Sequence, residues 1–133
     1  MKLPKLLLAL AFFGVAFNLN PSATTAQDVV AGAKKEGEVL LYLSTNLADA
    51  NGMIQLFKQK YPFIDVNFFR ADNEKLLNRI LTESATGKFN GDAIMISSFE
   101  VRVLLQKKLL QKYVSPHSQY YPEGFTDKDG FWT

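Results

Sequence analysis

Three short polar segments contain the side chains of this sequence that could bind a ligand. They are Ser44-Thr45-Asn46, Arg70-Ala71-Asp72-Asn73 and Ser97-Ser98, and each follows a run typical of a strand. In an open parallel sheet, the carboxyl ends of the strands meet at one edge, where helix N-termini offer unpaired backbone N–H groups. Hydroxyl, amide and guanidinium groups there suit a small polar or anionic molecule. The candidate ligand-binding residues are therefore Ser44, Thr45, Asn46, Arg70, Ser97 and Ser98.

Helix capping is the alternative role for the same residues. Ser, Asn and Asp are preferred at N-cap positions because their side chains accept hydrogen bonds from the first N–H groups of a helix. Arg70 can equally be an ordinary solvated side chain. The convergence of three polar segments on one edge, more than any single residue, supports ligand binding.

Signals for catalysis are weak. The only histidine, His117, follows Pro116 in a segment rich in turn residues, which is typical of an exposed side chain. Glu100 falls in the first turn of a predicted helix, a position that favours interaction with the helix dipole over general-base work. The sequence has no Gly-rich phosphate loop, Gly-x-Ser-x-Gly elbow or His-Glu-x-x-His pair. We expect a protein that is not an enzyme and has no catalytic residues, metal site or cofactor.

The elements that would position the polar segments alternate between helix and strand. Hydrophobic periodicity predicts three strands, at 39–43, 64–69 and 93–96. A helix at 28–36 precedes the first strand, and one helix follows each strand. The second helix is capped by Asn46 and closed by Pro62, the third is capped by Asp72 or Asn73 and ended by Gly87, and the fourth, 99–110, is capped by Ser97 or Ser98. Strand 64–69 alternates and should have one less buried face, whereas strand 93–96 is too apolar for a solvent-exposed face.

Short connections between these elements imply right-handed crossovers and a parallel sheet with helices on both faces. The fold class is therefore α/β, at the start of a doubly wound domain. Three strands are few for such a sheet, so we expect part of a larger domain. A loop-rich tail follows from Tyr113, and its aromatic residues could stack on a ligand, although packing is the favoured role.

The N-terminus has the order of parts of a secretory signal. Lys2 and Lys5 precede an apolar run over 6–17, and small residues precede a cleavage site after Ala26. The run of roughly a dozen residues is shorter than the ~20 needed to span a bilayer, which disfavours the alternative of a retained anchor. We expect residues 1–26 to be a cleaved signal peptide.

The amino-acid composition excludes several functional classes and kinds of site. The chain has 15 Lys and Arg against 13 Asp and Glu, and the leader removes only basic side chains, so the remainder is nearly neutral and not suited to nucleic acid. Without cysteine there is no disulfide, cysteine-type zinc site or lipid attachment point. In a bacterial cell, the expected product is therefore a free protein of the periplasm.

Several segments together resemble a known family. They are Ala33-Lys34-Lys35-Glu36-Gly37, Phe57-Lys58-Gln59-Lys60-Tyr61-Pro62-Phe63, Glu74-Lys75-Leu76-Leu77-Asn78-Arg79-Ile80, Tyr121-Pro122-Glu123-Gly124-Phe125 and Gly130-Phe131-Trp132-Thr133. The chain from about Ala33 onward is similar to extracellular solute-binding proteins of family 1 from bacterial ABC importers, in the ferric-iron-binding-like branch.

The resemblance implies a type II periplasmic-binding-protein-like fold, with two α/β lobes enclosing a ligand in a hinged cleft. It implies a periplasmic monomer that delivers a small-molecule solute to an ABC permease in the inner membrane. Residues 27–133 would be the N-terminal part of lobe 1, and the second lobe would be absent.

The resemblance also bears on iron. Metal binders of this branch hold iron with tyrosine oxygens that lie mainly in the other lobe, often helped by a histidine or carboxylate after the first strand. Here that position is Ser44-Thr45-Asn46, without His or Tyr. Hard cations prefer charged oxygen donors, so a small polar or anionic solute is expected, with iron or an iron chelate left open. A secreted α/β enzyme truncated before its catalytic residues, or an inactive fragment, are the alternatives.

Overall fold

A computed structural model describes residues 26–133. Its elements are helix α1 (Ala26–Glu36), strand β1 (Glu38–Leu43), helix α2 (Leu47–Lys60), strand β2 (Asp65–Arg70), helix α3 (Asn73–Ala85), strand β3 (Ala93–Met95), helix α4 (Ser98–Gln106) and a 3₁₀ turn (Ser118–Tyr120). The predicted order of helices and strands is confirmed. The predicted signal peptide lies outside the described residues, except for Ala26, where α1 begins.

Two helix starts form as their side chains predict. The Asn46 side chain accepts a hydrogen bond from the Asp49 backbone N–H at 2.9 Å, and Asp72 does the same for Lys75 at 2.9 Å. Each of these bonds supplies an acceptor for a backbone N–H group that has no carbonyl partner within the helix, because it lies in the first turn. The N-cap of α4 is Ser97, but its side chain makes no capping bond to the backbone. The Ser97 hydroxyl instead donates a hydrogen bond to the Glu100 carboxylate.

The helix predicted over 99–110 ends earlier, at Gln106. The Leu109 N–H donates to the Leu104 carbonyl and the Lys108 N–H to the Leu105 carbonyl, which is the Schellman pattern of helix termination. Lys108 adopts the left-handed conformation, with φ of 57°. The prediction was wrong here because Leu109 and Leu110 continue the apolar periodicity but return to the core after a turn.

The three strands form one parallel sheet in the order β2-β1-β3. Leu43 of β1 is in register with both Arg70 of β2 and Met95 of β3, so the three strands end in one row. The predicted parallel sheet is confirmed, with β1 at its centre.

Each face of the sheet is packed against different helices. On one face, Tyr42 is buried in a cluster with Leu76 and Ile80 of α3 and Leu104 of α4. On the other face, Leu43 is buried with Ala50 and Ile54 of α2. This alternation along β1 follows from the two-residue repeat of a strand, and it places helices on both faces as predicted.

The prediction that strand 93–96 has no exposed face was wrong. Ala93 and Met95 are exposed, and Met95 retains 42% of its accessible surface. On the α2 side of the sheet, beside β3, an apolar groove of about 320 Å³ remains open among the described residues. Its lining includes Leu41, Ile54 and Met95. The apolar character of β3 was predicted correctly, but no described element covers the face of β3 on the α2 side of the sheet.

β2 is the other edge strand, and its burial follows the predicted alternation only in its first half. Asp65 and Asn67 are exposed, whereas Val66 is half-buried against the Leu43 cluster. The alternation changes at Phe68, which is exposed, and Phe69 packs instead on the Tyr42 cluster. No helix within 26–133 is long and apolar enough to cross a membrane.

Candidate functional site

The strand register brings the three predicted polar segments to one edge of the sheet. Because Arg70, Leu43 and Met95 share a row, the loops after them begin side by side. Two bonds extend the pairing beyond this row. The Ala71 N–H donates to the Leu43 carbonyl at 3.2 Å, and the Ser44 N–H to the Met95 carbonyl at 2.9 Å. The convergence assumed from the sequence is therefore present.

The topology makes the gap between β1 and β3 a natural crevice. The loop after β1 leads to α2 on one face, and the loop after β3 leads to α4 on the other. Neighbouring strands whose connections diverge in this way form the switch point at which open α/β sheets bind ligands. Ser44-Thr45-Asn46 lies on one side of the crevice and Ser97-Ser98 on the other.

Hydrogen bonds join all three loops. The Ser44 hydroxyl donates to the Met95 carbonyl at 3.1 Å, and the Arg70 guanidinium contacts the Thr45 carbonyl at 3.4 Å. The Asn73 side-chain oxygen accepts from the Ser97 backbone N–H at 3.2 Å. The edge is thus a connected polar surface.

Four of the six candidate residues already have internal partners, and for Arg70 that partner is the Thr45 carbonyl. The Asn46 amide is bonded to Asp49 on both its oxygen and its nitrogen. The Ser97 hydroxyl is bonded to Glu100, and the Ser44 hydroxyl to the Met95 carbonyl. Asn46 has the capping role weighed in the sequence analysis, whereas the Ser97 and Ser44 hydroxyls make other internal hydrogen bonds. Thr45, Arg70 and Ser98 keep side-chain donors available for a ligand.

The charges at the edge are balanced mainly within the helix starts. Asp49 and Glu100 lie in the first turns of α2 and α4, where the helix dipole favours a carboxylate. Lys75 lies 2.8 Å from Asp72, and its side-chain and backbone hydrogen bonds to the Asp72 carboxyl hold the pKa of that carboxyl below its usual value. Both side chains are exposed, so water screens this ion pair strongly.

The donor set does not form a metal centre by itself. Among residues 26–133, no group of three or more His, Asp or Glu side chains lies close enough to hold a metal ion. His117 is exposed in the tail, with its ring 6.1 Å from that of Tyr120. Tyr120 and Phe125 are also mainly exposed, at 76% and 64%.

Sequence reasoning missed a partly buried polar cluster on the face of the sheet that carries α3. The Tyr42 hydroxyl donates to the Glu83 carboxylate at 2.7 Å, and Arg79 Nε donates to the same carboxylate at 2.8 Å. The Arg79 guanidinium lies 4.1 Å from the centre of the Phe69 ring. The spacing of Arg79 and Glu83, four residues apart in a helix, was the available signal. Tyr42 gave none, because its position in an apolar strand indicates only burial.

Comparison with known proteins supports the fold. No protein-family model matches the chain, and no curated protein sequence matches it. Among solved structures, it is similar to the Trichodesmium protein IdiA, or FutA, in complex with iron and citrate ligands, with a TM-score of 0.61 and 21% sequence identity. The alignment covers 71% of this chain and 30% of that chain.

This likeness concerns architecture. At 30% coverage, the chain corresponds to less than a third of the solved protein. Together with the parallel sheet and the helices on both faces, the match shows an α/β fold of the type II periplasmic-binding-protein class.

Proposed function

We propose that this chain is part of a periplasmic solute-binding protein of family 1, and that it captures a small polar or anionic solute for an ABC permease. The observation that carries the proposal is the set of three loops joined by hydrogen bonds at the switch-point edge. The fold likeness to a protein solved with iron and citrate supports it. Residues 27–133 would supply one wall of the ligand cleft.

The contact residues in this proposal are Thr45, Arg70 and Ser98, with Ser44, Asn46 and Ser97 holding the loops in place. The described residues offer no carboxylate or histidine cluster for a bare metal ion. Iron would therefore meet this wall as a chelate whose own oxygens face the loops. A neutral polar solute could use the same hydroxyl groups.

Isothermal titration of the purified protein tests the binding role. The ligands are ferric salts, ferric citrate, organic acids, phosphonates and sugars. We expect one class to bind with a Kd well below about 1 mM, which corresponds to about −4 kcal/mol. If every class binds more weakly than that, the solute-binding proposal is wrong.

Fractionation of cells that express the whole chain tests the proposed location. We expect the protein in the periplasmic fraction, with Gln27 as its first residue after cleavage behind Ala26. A product that keeps residues 1–26 and sediments with membranes would contradict the cleaved signal peptide.

A further inference from the structure

Arg70 is the cation at the switch-point edge that lacks a carboxylate partner among residues 26–133. The loops and first helical turns at this edge contain two described cations, Arg70 and Lys75. Lys75 is paired with Asp72 at 2.8 Å. The Arg70 side chain contacts a backbone carbonyl, that of Thr45, and is otherwise exposed.

The carboxylates of the same edge do not supply the missing partner. Asp49, Glu74 and Glu100 each lie in the first turn of a helix, so the positive end of that helix offsets their charge. Asp49 and Glu100 also accept hydrogen bonds from the N-cap side chains Asn46 and Ser97. The charge that remains without a counterion is that of Arg70.

The position of Arg70 is fixed by the sheet. It is the last residue of β2, in register with Leu43, and the next residue continues the pairing through the Ala71 N–H. Its contact with the Thr45 carbonyl directs the guanidinium toward the loop after β1. A guanidinium has five N–H donors and no acceptor, so its partner must present acceptor oxygens.

We propose that the solute carries an oxyanion, a carboxylate or phosphate group, which the Arg70 guanidinium binds beside the Thr45 and Ser98 hydroxyls. This rests on the proposed solute-binding function and narrows its ligand to anions. The planar fork of arginine matches both carboxylate and phosphate oxygens through paired hydrogen bonds. Uncharged sugars and bare metal cations would not satisfy it.

NMR titration of the purified protein tests this proposal, because it detects affinities into the millimolar range. The probes are citrate, inorganic phosphate and maltose, and their comparison separates carboxylate, phosphate and neutral ligands. We expect citrate or phosphate to shift resonances of the loops after β1 and β3, and maltose to shift none. Replacing Arg70→Gln should weaken anion binding about tenfold or more, since a charged hydrogen bond is lost.

Two variants separate Arg70 from general charge effects. Arg102→Gln removes another exposed arginine, on α4, and should leave the Kd within about twofold. Arg70→Lys keeps the charge without the fork and should fall between wild type and Arg70→Gln. Circular dichroism and thermal melting should show that all variants fold alike.

The outcomes distinguish the two proposals. If maltose binds and Arg70→Gln leaves its Kd unchanged, the oxyanion inference is wrong while the solute-binding function stands. Equal losses in Arg70→Gln and Arg102→Gln would also overturn it, because they would indicate non-specific charge attraction. If no probe binds, and the broader ligand series also fails, both proposals are rejected.

Discussion

At the residue scale, the buried phenol of Tyr42 organises the best-defined polar contacts of the fold. Tyr42 is 1% exposed, and its hydroxyl joins Glu83 and Arg79 across the face that carries α3. Burial, and then the hydrogen bond to Glu83, raise the pKa of Tyr42. The cluster attaches α3 to the central strand of the sheet.

Glu83 should make stability dependent on acid pH. Burial raises the pKa of this carboxyl, but hydrogen bonds from Tyr42, Asn90 and Arg79 outweigh it and hold the pKa below its usual value. A carboxyl with a lowered folded-state pKa stabilises the fold above its unfolded-state pKa, about 4.3 for Glu. That stability should be lost as the pH falls through this value toward the folded-state pKa.

Urea unfolding of wild type and Glu83→Gln at neutral and acid pH measures this effect. At neutral pH, Glu83→Gln should lower the free energy of unfolding by about 1–2 kcal/mol. The gap between the two proteins should narrow below about pH 4. Glu74→Gln, which removes an exposed carboxyl from the same helix, is the matched control. A gap that stays constant with pH would contradict the assigned role.

Gly91 should tolerate no side chain, because it lies against the Tyr42 ring. A Cβ at this position would be 3.0 Å from two ring atoms. The ring is held by Glu83 and Arg79 and cannot easily move. We expect Gly91→Ala to cost about 1–3 kcal/mol of stability through overpacking.

Gly52→Ala is a control that should stabilise the protein rather than destabilise it. Gly52 lies inside α2, and a Cβ there would meet nothing within 4 Å. Alanine in a helix interior is favoured over glycine by about 1 kcal/mol, so this variant should melt at a higher temperature. If both alanine variants shift the melting temperature alike, the Tyr42 contact is not the cause.

At the element scale, α3 and α4 end in the same motif with different residues. After α3, Gly87 takes the left-handed conformation at φ of 69°, and the Lys88 N–H bonds to the Glu83 carbonyl. After α4, Lys108 takes the equivalent position at φ of 57°. A lysine there has a Cβ that the left-handed conformation disfavours.

Exchanging the terminating residues tests this difference. Lys108→Gly should stabilise the protein by about 1 kcal/mol, because it removes the left-handed strain. Gly87→Ala should destabilise it by about 1 kcal/mol for the converse reason. Thermal melting measures both, and a lower melting temperature for Lys108→Gly would contradict the prediction.

At the scale of the whole molecule, the apolar groove on the α2 side of β3 is an exposed apolar surface next to an edge strand. Met95 contributes to it, and no described element covers it. Unpaired edge strands with apolar faces promote self-association. We expect the protein to bind an apolar fluorescent dye in its folded state.

Met95→Gln should reduce that dye fluorescence while changing stability by no more than about 0.5 kcal/mol, because Met95 is already exposed. Leu56→Gln is the matched control, since Leu56 is 68% exposed on α2 but does not line the groove. Equal loss of fluorescence in both variants would show that the dye binds elsewhere.

Much of the architecture was predictable because it depends on local signals. The Asn46 and Asp72 caps, the Gly87 stop and the alternating strand and helix patterns act within a few residues, and parallel pairing follows from the short connections. The six candidate residues were also correctly expected to converge on one edge.

Local patterns in the sequence were enough to predict the α/β class, the order of elements and the edge at which polar loops meet. The tertiary structure alone decided which polar side chains remain available for a ligand. Asn46 and Ser97 are occupied by the first turns that follow them, whereas Arg70 keeps unpaired donors. The tertiary structure also decided that β3 keeps an exposed face and that Tyr42 joins Arg79 and Glu83. The physical reason is that burial and hydrogen-bond partnership depend on contacts between residues distant in sequence, which periodicity does not encode.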